Sequence, residues 1–595
     1  MSRAHVAVLL ALALFVVPAR AGERSAMIAA ARTPAPVPDE LLVRLRAEAT
    51  TAPASVAEHL GDRLQRALGA RYAVVKLEAG RTLAEALAAY RAMPEVEAVQ
   101  PNYRYRFLAV PNDPLYPQLW ALDNDGQPVE GGTPAAAVPG SDLDMERAWD
   151  EITDCTSVIV AVLDSGVNYL HRDLAGNLWD GSAAGFPLHG YDFLDDDNDP
   201  MPEDAFGHGT HVAATIGAVG NNGIGVAGVC WRARIMALRI GDRRGATTAR
   251  IVQAMQFAIE HGARVINLSL GGSEHDPAFE AEVERARRLG VLVVTAAGNQ
   301  GTDNDDDATP FYPCDFPQDN VVCTAALDQS FSLAGFSNFG AVSVDLGAPG
   351  TNILSAWPGR VRADDLRGWV RTGGWAEAVC NFNLGRLPAL VNPATWCATP
   401  PGTYAADAND VAYKAFDLAG VRHARANFFR FLATEPDADY LGYAMSPAGG
   451  DPFAAGTLIA LHSGSTGTRP IEESVDLDGC ATSSCTFGFR LQSNGAVADR
   501  GVAIVGLRID TVEPNADAYA VLQGTSMAAP HVAGVAALVW AYNPRYTYAD
   551  VRTALIEGGE PIGALAGVTA SGRALNAYGA LQYIAPPAGV AAVVR

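Results

Sequence analysis

Four polar side chains of this 595-residue chain stand in short, glycine-rich frames, and their chemical properties are complementary. Asp164 follows the apolar run 158–163, and His208 is the first histidine of the sequence GHGTH. Asn299 ends the sequence TAAGN, and Ser526 ends the sequence GTS, just before a long apolar stretch. A carboxylate, an imidazole, an amide and a hydroxyl together indicate acyl-transfer chemistry.

Each of the four groups has a possible role in that chemistry. A serine hydroxyl such as that of Ser526 becomes a good nucleophile only when a base, here His208, takes its proton. The carboxylate of Asp164 would fix the tautomer of the base and stabilise the imidazolium. The amide of Asn299 and the backbone N–H of Ser526, at a helix start, would hold the developing oxyanion. Each motif alone is more often structural, but coincidence of all four is negligible.

The elements that must position these residues follow an α/β pattern. Continuous apolar runs at 157–163, 234–240, 264–270 and 290–296 are typical of strands buried on both faces. Helical apolar spacing separates them, and it returns in Met527–Tyr542 and Tyr548–Glu557. This alternation predicts a mainly parallel sheet with helices on both faces, in which Asp164 and Asn299 follow the carboxyl ends of strands.

Two other regions differ from this pattern. Residues 360–515 are rich in Gly, Pro, Asp and aromatic residues and contain short alternating runs, which predicts an all-β sandwich inserted into the α/β domain. Residues 22–110 are predicted to form a small α/β unit with helices over 56–68 and 82–93. That unit has 12 basic and 10 acidic residues, whereas the whole chain has a net charge of −23.

The N-terminal residues have the pattern of a secretory signal peptide over residues 1–21: Arg3, an apolar run of 12 residues, and the sequence ARA. No later stretch has 18 consecutive apolar residues, so we expect an exported protein without a membrane span. Eight cysteines without a CxxC motif favour disulfides over a metal cluster. Short separations favour pairing 314–323, 380–397 and 480–485, which leaves Cys155 with Cys230. The negative charge argues against a nucleic-acid partner.

With these motifs in view, the sequence resembles the subtilisin-like serine proteases, the subtilases of peptidase family S8. The similar segments are VAVLDSG around Asp164, GHGTHVA around His208, INLSLGG at 266–272, AAGN at 296–299 and GTSMAAPHVAG at 524–534. The order Asp, His, Ser along the chain is that of subtilisins. The resemblance implies an Asp164–His208–Ser526 triad with Asn299 as oxyanion donor, and a structural role for His211.

The resemblance also implies an organisation and a substrate. We expect a doubly wound, mainly parallel sheet of subtilisin type, a propeptide that inhibits the enzyme intramolecularly, and the inserted β-sandwich. The expected boundaries are 1–21 for the signal, 22–110 for the propeptide, 111–358 and 516–595 for the catalytic domain, and 359–515 for the insertion. Ser269, Leu270 and Gly271 would pair with the backbone of a protein or peptide substrate. The mature protein is expected to be a secreted monomer made as a zymogen.

Calcium is the cofactor that the resemblance implies. Asp113, Asp173 and the side chain of Asn222 would ligate the ion, together with the carbonyl groups of Val219, Ile224 and Val226. Carboxylate, amide and backbone oxygens are the ligands that Ca²⁺ prefers. The acidic run Asp195–Asp199 is a second candidate, for which a solvated acidic turn is an equally good interpretation.

Two alternatives to a protease follow from the sequence. One is a catalytically silent exported binding protein that uses the β-sandwich, against which the four intact motifs argue. The other is a different serine hydrolase such as an esterase. It lacks support because the chain has no GxSxG nucleophile elbow and its serine lies last among the motifs.

Overall fold

The computed structural model describes residues 16–18 and 35–583, apart from 48, 50, 51, 70, 105–108, 204, 205, 383, 384 and 468. The chain forms two compact units, one of residues 21–109 and one of residues 1–20 with 110–595. The expected signal peptide lies outside the described residues except for a short strand, β1 (Val16–Pro18). Among the described helices, none is long and apolar enough to cross a membrane.

The unit of residues 21–109 is a four-stranded antiparallel sheet with two helices. Its elements are β2 (Ala35–Leu45), α1 (Pro53–His59), β3 (Arg63–Leu68), β4 (Tyr72–Lys76), α2 (Leu83–Arg91) and β5 (Val96–Arg104). The strand order is β3-β4-β2-β5. The prediction of one helix over 56–68 is wrong beyond residue 59. Gly61 takes a positive φ of 77° that ends the helix, and residues 63–68 then pair with β4.

The larger unit contains a nine-stranded sheet. Before the β-rich insertion its elements are α3 (Met145–Trp149), β6 (Ile159–Asp164), β7 (Gly190–Asp192), α4 (His208–Gly217), β8 (Ile235–Arg239), β9 (Gly241–Asp242), β10 (Gly245–Ala246), α5 (Thr248–Glu260), β11 (Ala263–Leu268), α6 (Pro277–Arg288), β12 (Leu292–Ala296), β13 (Val321–Leu327), β14 (Leu346–Pro349) and β15 (Ile353–Ala356). After the insertion, the chain continues through further strands and helices, and two short strands from that part complete the sheet.

The insertion, residues 359–515, is called here the β module. Its strands are β16 (Val361–Ala363), β17 (Val370–Arg371), β18 (Ala376–Phe382), β19 (Gly385–Asn392), β20 (Asn409–Phe416), β21 (His423–Ala433), β22 (Tyr440–Ser446), β23 (Thr457–His462), β24 (Ile471–Asp476), β25 (Cys485–Gln492) and β26 (Gly501–Val512), with one short helix, α7 (Pro452–Ala455). They form antiparallel sheets in the orders β18-β19-β26-β21-β24, with β16 beside β26, and β17-β20-β25-β22-β23. Phe428 of the first sheet and Phe487 and Phe489 of the second share one buried core, as a sandwich requires.

The chain then forms β27 (Ala518–Leu522), α8 (Thr525–Tyr542), α9 (Tyr548–Glu557), β28 (Glu560–Pro561), β29 (Arg573–Ala574) and α10 (Ala577–Gln582). The nine-stranded order is β28-β29-β14-β13-β12-β11-β6-β8-β7, and all its pairs are parallel except β28 with β29. The β module leaves from β15 and returns into β27, and these two strands pair with each other. β27 also pairs with β1. The module is therefore inserted between paired strands of the larger unit.

Helices cover the sheet on both faces, as the alternating pattern predicted. Ala161 and Leu163 of β6 belong to a buried cluster with residues of α5 and α6, such as Met255 and Val283. α8 is almost fully buried and packs against β11, β12, β13 and α4. The four disulfides join 155 to 230, 314 to 323, 380 to 397 and 480 to 485, which is the pairing expected from the separations.

Candidate active site

Asp164 and His208 form a direct, two-oxygen contact. Asp164 is the last residue of β6 and is 7% exposed, while His208 is the first residue of α4. Nδ1 of the imidazole lies 2.8 Å from Oδ1 and 2.9 Å from Oδ2 of the carboxylate. A Cβ on Gly209 would lie 2.4 Å from the carbonyl oxygen of Gly166, so only glycine lets α4 approach β6 this closely. The contact fixes Nδ1–H as the donor and leaves Nε2 as the proton acceptor.

The environment of His208 acts on its pKa in two opposite directions. Burial lowers the pKa, whereas the charge of Asp164 and its hydrogen bond raise it, and the net result is a pKa above the usual value for histidine. The other histidine of the GHGTH sequence, His211, is fully buried and has different surroundings. Its Nε2–H donates to the carbonyl groups of Ile353 and Ala520, and burial lowers its pKa to about 3. It is a neutral core residue, as the resemblance implied.

Ser526 lies in the first turn of α8, the helix that packs against α4. Its hydroxyl donates to the carbonyl oxygen of Ser269 at 3.0 Å, and the hydroxyl of Ser269 donates to the carbonyl oxygen of Ser526 at 2.9 Å. Among the contacts of the described residues, none is a hydrogen bond between Ser526 and His208. The structure therefore joins Asp164 to His208 and Ser526 to Ser269.

Asn299 is held beside Ser526 through its side-chain oxygen. Oδ1 accepts the backbone N–H of Thr525 at 2.9 Å and the Thr525 hydroxyl at 3.1 Å. Its amide nitrogen has no hydrogen-bond partner among the described residues, and the residue is exposed. The side-chain N–H of Asn299 is thus a free donor beside Ser526. The backbone N–H of Ser526 also lacks an acceptor within the helix, because it lies in the first turn. The two donors are suited to one anionic oxygen.

Ser269, Leu270 and Gly271 continue the chain beyond the carboxyl end of β11. Ser269 is buried, whereas Gly271 is exposed. Gly272 and Tyr312 exchange two backbone hydrogen bonds of 3.0 and 2.8 Å. A Cβ on Gly271 would lie 2.3 Å from the ring of Phe311, so this aromatic side chain packs directly on the segment.

Two positioning residues were missed by the sequence reasoning. The ring of Phe206 stacks on the imidazole of His208 with centroids 5.6 Å apart and planes at 7°. The hydroxyl of Ser165 donates to the carbonyl oxygen of Phe206 at 2.9 Å and accepts the N–H of Gly209 at 3.0 Å. The position of Ser165, next to Asp164 in the VAVLDSG motif, is the signal that could have identified it. Phe206 has no such signal.

Comparison with known proteins decides the family. The model of the subtilase family matches residues 156–380 and 485–578, which is more than half of the chain. The chain belongs to the subtilase family. A second family model, the fervidolysin N-terminal prodomain, matches residues 23–102 of this subtilase.

Curated relatives of this subtilase include a thermophilic serine proteinase of Bacillus sp. (strain AK1), 38% identical over 267 residues, which are 45% of this chain and 58% of the relative. The halolysin-like extracellular serine protease Nep of Natrialba magadii is 33% identical over 301 residues, 50% of each chain. Thermitase of Thermoactinomyces vulgaris is 37% identical over 217 residues, 36% of this chain and 71% of thermitase. The chain thus spans little more than half the length of the first two relatives that it matches.

Subtilases commonly bind structural calcium, and the structure brings the predicted ligands of this subtilase together. Asp113 and Asp173 are 2% and 0% exposed. Asp113 accepts the backbone N–H groups of Asn221 and Asn222 at 2.6 and 3.0 Å. Asp173 accepts the side-chain N–H of Asn222 at 2.9 Å and the backbone N–H of Val226 at 2.8 Å. The half-buried amide and the two buried carboxylates therefore form one polar cluster.

The loop residues of the prediction donate backbone N–H groups to members of the same cluster. The N–H of Val219 donates to the main-chain oxygen of Asp173 at 2.8 Å, and that of Ile224 donates to Oδ1 of Asn222 at 2.7 Å. Burial raises the pKa of Asp173 to about 7, with a smaller contribution from the charge of Asp113. Among the described contacts of the two carboxylates, no Lys or Arg balances their charge. The two buried carboxylates fit a hard cation, while the amide of Asn222 donates its N–H to Asp173 and its oxygen accepts the N–H of Ile224. The described residues contain no group of three or more His, Cys, Asp or Glu placed to hold a metal.

The acidic run Asp195–Asp199 has arginine partners. Arg239, which is 4% exposed, lies 2.5 Å from the carboxylate of Asp195, and Arg422 pairs with Asp199. Asp196 accepts the hydroxyl of Tyr191 at 2.9 Å. Neither interpretation of the run, a calcium site or a solvated turn, anticipated these arginines, which come from distant parts of the chain.

Proposed function

We propose that this subtilase is an exported serine endopeptidase, made as a zymogen, that hydrolyses peptide bonds of proteins through an acyl-enzyme. The observation that carries the proposal is the contact of His208 with both carboxylate oxygens of Asp164, at the sheet edge where the segment of Ser526 and Asn299 also lies. Membership of the subtilase family and the names of its relatives, which are serine proteases, support it.

In the proposed mechanism, the Ser526 hydroxyl turns from the carbonyl oxygen of Ser269 towards Nε2 of His208. The oxygen attacks the substrate carbonyl carbon, and Nε2 takes the proton. The imidazolium is stabilised by Asp164, and the oxyanion accepts hydrogen bonds from the Asn299 amide and the Ser526 N–H. Collapse breaks the peptide C–N bond, and His208 returns the proton to the leaving amine. Water then attacks the acyl-enzyme by the same steps in reverse roles.

The remaining parts of the chain are assigned accordingly. Residues 269–271 would hold the substrate backbone by strand addition, and Gly271 in this segment is exposed. Residues 22–110 would be the inhibitory propeptide, which the prodomain match over 23–102 supports. Residues 111–358 and 516–595 would be the catalytic domain around the β module, and residues 1–21 would be the signal for export. The extracellular relative supports export.

Calcium is proposed as a structural cofactor held by the carboxylates of Asp113 and Asp173. Asn222 would contribute its side-chain oxygen, and Val219, Ile224 and Val226 their carbonyl groups. When bound, the ion would supply the positive charge that this buried cluster lacks among its described contacts. Among the described contacts of the cluster, none involves Ser526, His208 or Asn299, so the ion would stabilise the fold and take no part in the chemistry.

The test is the purified full chain beside its Ser526→Ala variant and the exposed control Ser273→Ala. Ser526→Ala should lower kcat on peptide substrates by ~10⁶-fold and still fold, because the nucleophile is lost and the core is unchanged. The unprocessed proform of that variant should accumulate, whereas the control should mature normally. Full activity of Ser526→Ala would contradict the mechanism. A wild-type chain that cleaves no peptide would favour a silent binding protein.

A further inference from the structure

Both connections of the β module are tied to the segments that carry the catalytic pair. The side-chain N–H₂ of Asn168, which is fully buried, donates to the carbonyl oxygens of Pro358 and Glu513, each at 2.9 Å. The chain enters and leaves the module at these two residues, which are called here the roots of the module. The backbone N–H of Asn168 donates to the hydroxyl of Thr210 at 3.0 Å. Because Thr210 lies in the first turn of α4, one residue joins the module roots, the segment after Asp164, and the helix of His208.

The same root packs against the residue that precedes His208. A Cβ on Gly207 would lie 2.0 Å from Cδ of Pro358 and 2.9 Å from the ring of Trp357. Trp357 is 1% exposed, so this contact is part of a packed interior rather than a loose surface. The backbone at Gly207 is therefore in van der Waals contact with the root of the β module.

The body of the module also holds the segment that leads to His208. Arg422, just before β21, pairs with Asp199, and Nε of Arg425 in β21 donates to the carbonyl oxygen of Glu203 at 3.3 Å. Met201, between these two positions, is buried in a cluster with Val512 of β26. Two ionic or polar contacts and one apolar contact thus come from the module to residues 199–203.

A second contact of the module reaches the loop that follows β8. Glu472 of β24 pairs with Arg243 at 2.6 Å. Arg243 lies between β9 and β10, just beyond the carboxyl end of β8, whose last residue Arg239 is in register with Asp164. The module is thus joined to two loops that emerge at the edge of the sheet where the catalytic groups lie.

The segment held by the module ends at the catalytic base. Phe206 stacks on the imidazole of His208 with nearly parallel planes, and its carbonyl oxygen accepts the hydroxyl of Ser165. Because Phe206 follows Glu203 by only three positions in the chain, a displacement of residues 199–203 would move the ring that lies against His208. Displacements of about 1 Å in a catalytic geometry can cost ~10²-fold in rate.

We infer that the β module is a positioning element for the catalytic base: through Arg422, Arg425 and its two roots it holds residues 199–203 and Gly207, on either side of Phe206, and thereby sets the orientation of His208. The inference rests on the proposed function for its kinetic consequence. It gives the module a role in the chemistry of the protease, with no ligand of its own required.

The test is the double variant Arg422→Ala/Arg425→Ala in the full chain. The two arginines act on residues 199–203 from outside, so loss of their contacts should lower kcat by ~10-fold and leave KM within ~2-fold, because His208 is displaced while the substrate backbone site is untouched. The conservative double variant, with lysine at both positions, should recover most of kcat. Arg367→Ala removes an exposed ion pair within the module and is the matched control, with unchanged kinetics.

A second readout separates positioning from loss of stability and from failure of the proposed function. In the Ser526→Ala background, the pKa of His208 is measured by NMR of labelled histidine rings. Loosening the contact with Asp164 should move this pKa down in Arg422→Ala/Arg425→Ala, with a melting temperature like that of the Arg367→Ala control. An unchanged pKa with unchanged kcat would overturn the inference. A wild-type chain that cleaves no peptide, with the pKa change present, would overturn the proposed function and keep the positioning role.

Discussion

Replacing Asp164 by asparagine isolates the contribution of one charge to the proposed mechanism. Asparagine has the size of aspartate, and its oxygen can still accept the N–H of Ser165, which Asp164 accepts at 2.7 Å. Its amide group would face Nδ1 of His208 with a donor in place of an acceptor. The imidazole would then carry its proton on Nε2 and could not take the proton of Ser526.

The size of the effect follows from the geometry. With ~4 Å between the charge centres of Asp164 and the imidazolium and an effective dielectric constant of ~20, their attraction is ~4 kcal/mol. At ~1.36 kcal/mol for each tenfold change in rate, loss of that attraction lowers kcat by ~10³-fold. The wrong tautomer adds to this loss, so we expect kcat to fall by ~10⁴-fold in total.

The pH profile gives the sign of a second effect. His208 must be neutral to accept a proton, so kcat/KM rises as the pH increases through its pKa. That pKa is raised because the charge and hydrogen bond of Asp164 outweigh burial. Without the carboxylate, burial alone acts and lowers the pKa. The acidic limb of the profile should therefore move to lower pH in Asp164→Asn, while its plateau falls.

The assay is steady-state hydrolysis of a peptide amide from pH 4 to 10, with melting temperatures recorded for each protein. Asp154→Asn is the control, since that carboxylate pairs with Arg232 at 2.9 Å on the surface and should leave kcat unchanged. A folded Asp164→Asn protein that keeps more than about a tenth of wild-type kcat would refute the reasoning, because ~1.4 kcal/mol is far below the worked attraction. An acidic limb displaced to higher pH would refute the cause given for the raised pKa.

Three further predictions concern the oxyanion, the metal and a disulfide. Asn299→Ala should lower kcat by ~10²–10³-fold with little change in KM, because the amide acts once the carbonyl oxygen is charged; an effect on KM alone in steady-state kinetics would contradict this. Chelation of calcium should lower the melting temperature of the Ser526→Ala protein, since an ion at a thousandfold excess over Kd stabilises by ~4 kcal/mol, and Asp173→Ala should blunt the response; an unchanged melting temperature would exclude the site. Replacing both Cys155 and Cys230 by alanine should cost ~4.5 kcal/mol in urea unfolding, because their bond closes a separation of 75 residues; a loss under ~2 kcal/mol would contradict the loop-entropy argument.

Much of the α/β fold could be predicted from local patterns. Continuous apolar runs identified the central strands because both faces of a parallel sheet are covered, so every side chain of such a strand is buried. The helix Tyr548–Glu557 begins where expected, and Thr547 and Asp550 form a capping box at its start. The helix predicted over 56–68 failed because apolar spacing cannot show that Gly61 ends it and that the next residues pair with β4.

The candidate site likewise contains residues that the sequence identifies and contacts that it does not. The types and frames of Asp164, His208, Asn299 and Ser526 could be read from the sequence because each motif combines a reactive group with the glycines or strand end that expose it. The stack of Phe206 on His208 and the hold of the β module on residues 199–203 could not. The contacts of the module with residues 199–203 join positions more than 200 residues apart. The stack of Phe206 on His208 joins residues only two positions apart, but no motif marks it in the sequence.

The sequence by itself determined the chemical groups, the order of the strands and helices that carry them, and the insertion of a β-rich module. Only the tertiary structure decided which charges meet: Arg239 and Arg422 lie on the acidic run Asp195–Asp199, while Asp113 and Asp173 are buried together. The physical reason is the range of the interactions. Hydrophobic periodicity and capping act within a few residues, whereas ion pairs and packing depend on which distant segments the folded sheet brings within a few ångströms.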